Sequence, residues 1–371
     1  LRYDRGSLLI HGEVGTPYGQ WDPRVGAFRA MAIYYREVLA YLDRSHMVYR
    51  DEAANPPPVS TLSCRVELRP YQKAALNAWF DAGRRGVIVL PTAAGKTFVA
   101  LKAIEELNVA TLVVVPTLDL LDQWRQILSN QFGVEAGAYG GGDDILKPLT
   151  VSTYDSAYIR AEQLGNRFMF IIFDEVHHLP APSYSQIAEM YIAPYRMGLT
   201  ATYEREDGGH HDLPRLIGGR VYQLGVDALA GRHLSPYTHE KILVDLTPDE
   251  QKLYRREYDV FANYLRRKRV VLRSPEDFRR FIMRTGVDPE AREALLARNK
   301  ALKTALNSEA KINALGEFLQ VYSQEKILIF TRYNQLVYRI SRRFLIPAIT
   351  YQTPREERKE ILEKFKAGEY R

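Results

Sequence analysis

The feature that most constrains this chain is an apolar run ending in a turn of small residues, a lysine and a hydroxyl. It reads Gly86-Val87-Ile88-Val89-Leu90-Pro91-Thr92-Ala93-Ala94-Gly95-Lys96-Thr97, and a helical pattern follows it. Consecutive apolar residues suit a strand that is buried on both faces. A small-residue turn before a helix lets backbone N–H groups close around phosphate oxygens. The stretch therefore predicts a nucleotide-phosphate loop within an α/β domain.

The residues of this loop have distinct expected roles in holding ATP and Mg²⁺. Lys96 is expected to reach the β- and γ-phosphates, and the Thr97 hydroxyl is expected to bind Mg²⁺. The backbone cradle before them consists of Thr92, Ala93, Ala94 and Gly95. The usual pattern has a glycine where this chain has Leu90, so the match is physical rather than strict. A Gly-Lys-Thr after a strand can also be an ordinary turn.

A second apolar strand ends in two adjacent carboxylates. It reads Phe168-Met169-Phe170-Ile171-Ile172-Phe173-Asp174-Glu175-Val176-His177-His178. In P-loop NTPases the strand beside the phosphate loop carries an Asp that holds Mg²⁺, and a further residue positions the attacking water. Asp174 and Glu175 fit these roles in that order. An acidic pair alone can simply cap the next helix, but together with Lys96 and Thr97 it predicts a catalytic site.

Length and composition set the broad class. A chain of 371 residues is too long for one compact core and predicts two or three domains. No apolar run reaches about eighteen residues, so no membrane contact is expected. The single cysteine, Cys64, excludes an internal disulfide framework and fits a reducing compartment, which predicts a cytoplasmic location.

Positive charge is concentrated in one segment. Between Asp249 and Lys303 there are fifteen Lys or Arg residues and nine Asp or Glu residues, a surplus of six that equals the +6 net charge of the whole chain. A basic segment on an otherwise neutral chain indicates one anionic contact surface, for which nucleic acid is the leading candidate.

The first part of the chain is expected to be a separate domain. Residues 1–60 combine short alternating segments with a helical pattern from Phe28 to Leu42, and Asn55-Pro56-Pro57-Pro58 follows as a stiff linker. The segment shows no catalytic constellation. Its aromatic side chains can stack on bases or form a small core, and a small core is the favoured interpretation.

From residue 61 onward, strand and helix patterns alternate. Leu68-Arg69-Pro70-Tyr71-Gln72 opens a helix that runs to Phe80, where Gln72 can pair with an adenine edge and Arg69 can lie over the base. Short apolar runs follow at Thr111–Val115, Leu149–Ser152, Met169–Phe173 and Met197–Leu199. This alternation predicts a parallel sheet with helices on both faces. Ligands of such sheets bind at the carboxyl ends of strands, where Lys96 and Asp174 both fall.

Three helix starts follow, each with a capping residue, a proline at the first helical position and early acids. They are Thr247-Pro248-Asp249-Glu250, Ser274-Pro275-Glu276-Asp277 and Asp288-Pro289-Glu290. The densest basic run on these helices is Arg266, Arg267, Lys268 and Arg269, which we expect to grip DNA phosphates. A solvated helix face is the alternative.

The last part of the chain has the pattern of a second α/β lobe that begins but does not continue. The expected elements are a helix to Gln320, a strand at Lys326–Phe330, a helix from Asn334, an apolar run at Leu345–Ile349 that leaves an open sheet edge, and a helix capped at Thr353.

Several short segments, in this order and spacing, resemble the motifs of superfamily 2 helicases. They are Leu-Arg-Pro-Tyr-Gln at 68–72, Pro-Thr-Ala-Ala-Gly-Lys-Thr at 91–97, Val-Val-Val-Pro-Thr at 113–117, Val-Ser-Thr-Tyr-Asp-Ser-Ala at 151–157, Asp-Glu-Val-His-His at 174–178 and Gly-Leu-Thr-Ala-Thr at 198–202. Arg205-Glu206-Asp207, directly after the last motif, resembles the xeroderma pigmentosum B (XPB) helicase family in its short archaeal type.

The resemblance implies an architecture and further site residues. It implies a DNA-recognition domain at 1–60, a RecA-like P-loop NTPase lobe at 61–240, a thumb-like helical insertion at 241–308, and the start of a second RecA-like lobe at 309–371. His177, Thr200 and Thr202 are expected to couple hydrolysis to DNA contacts. Strand separation is expected from Arg205, Glu206 and Asp207. Thr117 and Thr153 lie in motifs that contact DNA.

The expected function is that of an ATP-dependent DNA translocase or helicase acting on duplex or forked DNA, in nucleotide excision repair or transcription. The resemblance also implies a nuclease partner in archaeal types and a nucleoid-associated location. The alternative is a DNA-binding and partner-docking module with vestigial hydrolysis. A restriction-type translocase is a further alternative, which Arg-Glu-Asp disfavours. Because the Gln-x-x-Gly-Arg motif of the second lobe does not occur, we expect this chain to bind ATP and DNA but to hydrolyse ATP slowly and not to unwind DNA.

Overall fold

The chain divides into two units, Leu1–Thr238 and His239–Arg371. The computed structural model describes residues 1–12, 15–205, 207–229, 231 and 235–371. Among these residues, no helix combines the length and the apolar character that crossing a lipid bilayer requires.

The first unit opens with a small antiparallel sheet. Its strands are β1 (Arg2–Asp4), β2 (Ser7–Ile10), β3 (Gly19–Asp22) and β4 (Ala27–Met31). They pair in the order β1-β2-β4-β3. A 3₁₀ turn at Ala32–Tyr34 leads into helix α1 (Tyr35–Arg44). Leu8, Val38 and Leu42 are buried together between the sheet and this helix.

The predicted helix from Phe28 to Leu42 is wrong in its first part, because residues Ala27–Met31 form β4. This strand pairs with β2 on one side and β3 on the other, and Phe28 stands opposite Ile10 and Trp21. The Phe28 and Trp21 rings meet edge to face with centroids 5.3 Å apart. Pairing on both sides outweighs the local helical pattern, since strand formation depends strongly on cross-strand partners.

The main sheet of the first unit has eight strands. They are β5 (Arg85–Val89), β6 (Thr111–Val115), β7 (Gly137–Gly140), β8 (Asp143–Ile145), β9 (Leu149–Thr153), β10 (Phe170–Asp174), β11 (Tyr195–Thr200) and β12 (Arg220–Gln223). Their order is β12-β5-β11-β10-β6-β9-β7-β8. All neighbours run parallel except β7 and β8, which are antiparallel. The predicted α/β fold with a parallel sheet is confirmed.

Helices cover both faces of this sheet. They are α2 (Pro70–Asp81), α3 (Lys96–Leu107), α4 (Leu118–Phe132), α5 (Tyr154–Ile159), α6 (Ala161–Leu164), α7 (Ser185–Met190) and α8 (Leu213–Ile217), with 3₁₀ turns at Val176–His178 and Gly209–Asp212. Successive residues of β5 point to opposite faces. Ile88 and Leu90 therefore join one buried cluster, while Val87 and Val89 join the other.

The regular elements that the structure describes in the second unit are all helices. Its helices are α9 (Pro248–Arg267), α10 (Pro275–Arg284), α11 (Pro289–Leu306), α12 (Glu309–Val321), α13 (Asn334–Phe344) and α14 (Arg355–Ala367). Thr247, Ser274 and Asp288 cap α9, α10 and α11 through their side-chain oxygens, so the three predicted helix starts are confirmed.

Two expected strand regions of this unit do not form. Residues 326–330 and 346–349 adopt neither helix nor strand, and no strand occurs among the described residues of the unit. No strand among the described residues pairs with the apolar run at Lys326–Phe330, and the Phe330 side chain is 90% exposed. The open sheet edge expected after Leu345–Ile349 is wrong for the same reason. The last helix is capped at Pro354 rather than Thr353, whose hydroxyl instead accepts the Thr350 N–H.

Candidate active site

The phosphate loop connects β5 to α3 through two left-handed residues. Ala93 has φ 63° and Gly95 has φ 74°. A Cβ on Gly95 would lie 2.4 Å from the Gln72 Nε2, so the helix that packs under the loop requires glycine there. The N–H groups of Lys96 and Thr97 donate to no acceptor in the part of the chain that the structure describes. These first-turn donors are available to an anion.

The loop starts from a buried anchor at Leu90, the position at which the usual pattern has a glycine. Its side chain is fully buried in the core below the sheet edge. The leucine at this position therefore contributes to the packing under the loop. The turn at Thr92–Gly95 obtains its left-handed geometry from Ala93 and Gly95 instead.

Lys96 is held over the loop by backbone oxygens. Its ammonium donates to the carbonyls of Leu90 at 3.1 Å and Pro91 at 3.4 Å. Burial lowers the pKa of Lys96, while the negative charges of Glu175 and Asp174 act in the opposite direction. Both carboxylates are therefore within electrostatic range of the Lys96 ammonium.

Gln72 and Arg69 lie beneath the loop at the start of α2. The Gln72 side chain is 2% exposed. Its carbonyl oxygen accepts the Arg69 N–H at 2.9 Å, and its amide donates to Ala94 O at 2.9 Å. The Tyr71 hydroxyl, which the sequence did not single out, also donates to Ala94 O at 2.8 Å. The structure thus shows Gln72 bracing the loop, and its contact with adenine stays a prediction, as does that of Arg69.

Asp174 ends β10, and both of its carboxylate oxygens have internal donors. Oδ1 accepts the Glu175 N–H at 3.1 Å, and Oδ2 accepts the Trp124 indole N–H at 2.8 Å. The Tyr154 hydroxyl fixes the backbone by donating to the Asp174 carbonyl at 3.1 Å. Trp124 and Tyr154 were not predicted; the only signal in the sequence is that a buried Trp or Tyr needs a partner for its polar atom.

Glu175 turns the chain away from the strand in a left-handed conformation, with φ 48°. Burial raises the pKa of its carboxyl group, ahead of the opposing effect of Lys96. A carboxylate with a raised pKa is a stronger base than one in water. The direction of this shift suits a group that orients and deprotonates a water molecule.

His177 and Thr200 connect the acidic pair to the neighbouring strand β11. His177 Nδ1 lies 3.1 Å from the Thr200 hydroxyl and 3.4 Å from Glu175 Oε2. The Thr200 hydroxyl, which is fully buried, donates to the Thr202 carbonyl at 2.8 Å. Burial, followed by the charge of Arg205, lowers the pKa of His177. The structure therefore brings together His177, Thr200 and Thr202, the residues expected to couple ATP hydrolysis to DNA contacts.

The Arg205 side chain binds both Asp207 and the backbone of His177. The guanidinium of Arg205 binds both oxygens of Asp207, at 2.9 and 2.6 Å, and also donates to the His177 carbonyl. These bonds lower the pKa of Asp207 well below its usual range. His210 accepts the Arg205 N–H at 3.1 Å. The predicted Glu206 lies outside the described residues.

Thr117 and Thr153 stand at the ends of adjacent strands and cap the helices that follow. Val115 of β6 pairs with Thr153 of β9. Thr117 accepts the Leu120 N–H at 3.3 Å, and Thr153 accepts the Ser156 N–H at 3.2 Å. Thr117 is exposed, whereas Thr153 is 8% exposed. Both remain predicted DNA contacts, with the exposed Thr117 the better placed.

The basic run lies in the second unit, at the end of α9. Arg267 and Lys268 both bind Glu290, at 3.1 and 2.9 Å, and Arg266 donates to the Asn263 side chain at 3.1 Å. Arg269 follows in a left-handed conformation, with φ 51°. These side chains form an exposed cationic surface of this unit, and their contact with DNA stays a prediction.

The residues around the loop fit Mg-ATP. The helix α3 begins with the N–H groups of Lys96 and Thr97, which are available donors for a phosphate. No group of three or more His, Cys, Asp or Glu side chains that could hold a metal occurs within the described ranges. Mg²⁺ typically uses one or two protein ligands together with substrate phosphates. Thr97 and Asp174 would supply such a pair.

Fold and candidate site together have the features of a P-loop α/β domain, and comparison with known proteins gives the family. The family described as "Xeroderma pigmentosum group B helicase damage recognition domain" matches residues 1–53, and "Type III restriction enzyme, res subunit" matches residues 65–205. The chain is 46% identical over all 371 residues to the DNA 3'-5' translocase XPB2 of Sulfurisphaera tokodaii, of which it covers 84%. The chain belongs to the xeroderma pigmentosum group B (XPB) family of DNA helicases, as the motif order predicted.

Two further matches are more distant. The transcription and DNA repair factor IIH helicase/translocase subunit XPB/SSL2 of Saccharomyces cerevisiae is 28% identical over 230 residues, which are 56% of this chain and 27% of that protein. Among solved structures, the Hef helicase domain of Pyrococcus furiosus aligns over 81% of this chain and 84% of that one, with a TM-score of 0.47 and 17% identity.

Proposed function

We propose that this chain is an ATP-dependent DNA translocase or helicase that binds Mg-ATP at the phosphate loop and acts on duplex or forked DNA. The supporting observation is the meeting of three strand ends. In the sheet order β5-β11-β10, the loop with Lys96 follows β5, Thr200 ends β11 and Asp174 ends β10. Ligands of parallel sheets bind at this edge.

Each of these residues has a chemical task in the proposal. Bound Mg-ATP supplies a phosphoryl group that is transferred to water. Lys96 neutralises phosphate charge, while Thr97 and Asp174 hold Mg²⁺. Glu175 orients the attacking water and accepts its proton, a task that its raised pKa favours. Ala94 and Gly95, with the other loop residues Thr92 and Ala93, contribute the backbone cradle.

The contacts of His177 are the proposed link between hydrolysis and DNA. His177 contacts Glu175 on one side and the Thr200 hydroxyl on the other. The Thr200 hydroxyl in turn donates to the Thr202 carbonyl, and the Arg205 guanidinium donates to the His177 carbonyl. We propose that DNA contacts made by the loop that includes Arg205 and Asp207 change this set of bonds and thereby the position of Glu175. An Arg205 released from Asp207 has a free fork for a phosphate.

The biological setting is also a proposal. The S. cerevisiae relative is named as a subunit of a transcription and DNA repair factor. We propose nucleotide excision repair or transcription as the setting, close to the nucleoid, with a structure-specific nuclease as a partner. Capture of such a nuclease by the chain on forked DNA, and not on duplex DNA alone, is the observation that would support the partner.

A DNA-stimulated ATPase assay separates a motor from a docking module. Lys96→Ala is expected to lower turnover by at least about 10²-fold, since it removes a cation from the charged phosphates. Glu175→Gln is expected to lower turnover by about 10²- to 10⁴-fold while retaining nucleotide binding, because it removes the base alone. Unfolding by urea should be little affected in the Lys96 variant, whose ammonium contacts only loop carbonyls.

Lys102→Ala is the matched control, since Lys102 lies on the same helix and pairs with Glu105 at 2.6 Å, remote from the loop. It is expected to keep parental turnover. If Glu175→Gln hydrolyses ATP at the parental rate, Glu175 does not act on water. Because hydrolysis by this chain is expected to be slow, the rates are measured in single turnover, and a parental chain without hydrolysis in that measurement, with or without DNA, supports the docking-module alternative.

A further inference from the structure

Trp124 is a buried side chain whose one polar atom faces the candidate metal carboxylate. It lies on α4, is 2% exposed, and packs within the core cluster that includes Leu121 and Leu128 of the same helix. Its indole N–H donates to Asp174 Oδ2 at 2.8 Å. The apolar contacts alone do not require a tryptophan, because any large apolar side chain supplies them. The N–H is the part that packing leaves unexplained.

We propose that Trp124 is a positioning residue that fixes the orientation of the Asp174 carboxylate for Mg²⁺. This proposal rests on the proposed function of Asp174 as a Mg²⁺ ligand. A carboxylate at a strand end can rotate about its last side-chain bond. In this chain the Glu175 N–H holds Oδ1 and the Trp124 N–H holds Oδ2, so the rotation is restrained from both sides. Hydrogen bonds of this kind to a metal-binding carboxylate orient the ligand and raise metal affinity.

The chemical nature of the donor suits this task. An indole N–H is a neutral donor with no acceptor capacity. A lysine or arginine at the same place would restrain the carboxylate but would also cancel the negative charge that attracts the cation. Trp124 therefore orients Asp174 while leaving its charge for Mg²⁺, and its burial keeps water from competing for the same oxygen.

The position of Trp124 on α4 adds a consequence for DNA. The helix begins directly after Thr117, the exposed cap residue, and Trp124 stands two turns further along. If a DNA contact at Thr117 displaces the head of α4, the indole and the carboxylate that it holds would move with it. Weakened positioning by Trp124 should therefore reduce the stimulation of hydrolysis by DNA as well as the affinity for Mg²⁺.

Replacing Trp124 with Phe tests the role of the N–H. The probe is a fluorescent ATP analogue, titrated with Mg²⁺ at fixed analogue concentration. We expect Trp124→Phe to raise the Mg²⁺ concentration needed for half-maximal binding about 10-fold or more. The matched control is Trp79→Phe, because Trp79 is also buried and its N–H donates to a backbone carbonyl, that of Arg196, at 2.9 Å. The control should retain the parental Mg²⁺ dependence.

Direct observation of the indole provides a second readout that does not depend on the fold of a Trp124 variant. Trp21 and Trp79 are the other two tryptophans of the chain, so a chain with both replaced by Phe reports on Trp124 alone. Its emission should change when Mg²⁺ is added with a non-hydrolysable ATP analogue, and EDTA should reverse the change. Asp174→Asn in the same background should abolish the response.

The outcomes separate the two levels of the proposal. The first outcome concerns a parental chain whose binding of the analogue depends on both Mg²⁺ and Asp174. If Trp124→Phe then has the same Mg²⁺ dependence as Trp79→Phe, and Trp124 emission does not respond to Mg²⁺, only the positioning role is overturned. Binding of the analogue that is indifferent to Asp174→Asn overturns the metal role of Asp174, and the positioning role falls with it. A shift in Mg²⁺ dependence confined to the Trp124 variant supports both.

Discussion

At the scale of single residues, two non-glycine residues of the candidate site hold strained backbone conformations. Ala93 and Glu175 are non-glycine residues in the left-handed region, with φ 63° and 48°. Each such residue costs on the order of 1 kcal/mol, and strain of this kind clusters at functional sites. Ala93 turns the phosphate loop, and Glu175 turns its carboxylate off the strand that Asp174 ends. Both residues therefore hold conformations that the rest of the fold must enforce.

The raised pKa of Glu175 predicts that this carboxylate favours activity but lowers the free energy of unfolding. Because burial raises the pKa in the folded protein, the folded state binds this proton more tightly than the unfolded chain, whose carboxyl has its ordinary pKa of 4.5. The free energy of unfolding therefore falls as pH rises above 4.5. The loss is complete once the pH exceeds the pKa of Glu175 in the folded protein. Glu175→Gln should therefore raise the free energy of unfolding by about 0.5 to 1 kcal/mol at pH 7. Well below pH 4.5 it should leave the free energy of unfolding unchanged, and urea unfolding across this pH range measures the difference.

Glu106→Gln is the control for that measurement, because Glu106 is an exposed carboxylate on α3. Its substitution is expected to leave the free energy of unfolding unchanged within about 0.5 kcal/mol at each pH. A gain for Glu175→Gln that is the same at every pH would mean that packing, and not proton binding, causes it.

At the scale of elements, a strand can be predicted from sequence where it is also a continuous apolar run. Thr111–Val115 and Leu149–Thr153 are buried on both faces, and their composition alone predicts them. Strand Gly137–Gly140 has two glycines, and Arg220–Gln223 has polar residues at both ends, so neither has such a pattern. They exist because β9 and β5 offer them backbone partners. Lys326–Phe330 is the converse case, an apolar run that no strand among the described residues pairs with.

The same distinction applies to the site. The positions of Lys96, Thr97 and Asp174 in a loop and at a strand end could be predicted because these elements carry their own local pattern, while the roles of the three residues stay predictions. Trp124 and Arg196 could not, since what matters about each is a contact with a residue far along the chain: Trp124 with Asp174, and Arg196 with Leu216. A polar atom in an apolar helix or strand shows that a partner is needed, but not which one.

Arg196 of β11 ties several elements together through backbone carbonyls. Its guanidinium, fully buried, donates to the carbonyls of Ala193 at 3.0 Å, Ala188 at 2.7 Å, Leu216 at 2.8 Å and Tyr191 at 2.7 Å. These carbonyls belong to α7, the segment after it, and α8. Carbonyl dipoles thus supply the stabilisation that an ion pair would otherwise give, even though burial lowers the pKa of the guanidinium.

Arg196→Lys is expected to destabilise the first unit by about 3 kcal/mol or more, because lysine lacks the planar fork and leaves buried carbonyls without donors. Urea unfolding at neutral pH measures the change. Arg215→Lys is the control on α8, since Arg215 pairs with Glu189 near the surface, with 49% and 22% of the two side chains exposed. That variant should lose no more than about 1 kcal/mol. Similar losses for both would show that the buried carbonyls find other partners.

At the scale of the whole molecule, charge is distributed unevenly between the two units. The surplus of positive charge lies between Asp249 and Lys303, within the second unit, and the rest of the chain is neutral. The ion pairs of Arg267 and Lys268 with Glu290 satisfy one carboxylate with two cations, so a positive excess remains at that surface. An exposed excess of this kind attracts a polyanion over a distance set by ionic strength.

This distribution leads to a prediction for DNA binding that does not depend on ATP. Replacing Arg266, Arg267 and Lys268 together with Ser should weaken binding to duplex DNA of any sequence. Neutralising a phosphate releases counterions, so the slope of log affinity against log salt should flatten by about 0.9 for each phosphate that the variant no longer neutralises. Fluorescence anisotropy with two unrelated duplexes, measured from about 50 to 200 mM salt, gives the slope for each variant.

A charge-matched control decides whether position or net charge matters. Replacing Lys359, Lys364 and Lys366 of α14 with Ser removes the same formal charge from the same unit. Long-range attraction alone predicts equal reductions in affinity for the two triple variants, because both lower the net charge by the same amount. Direct phosphate binding predicts a flattened salt slope only for the α9 variant, with equal effects on both duplexes since phosphates carry no sequence information. A parental slope in the α9 variant would instead identify its basic run as a solvated helix face.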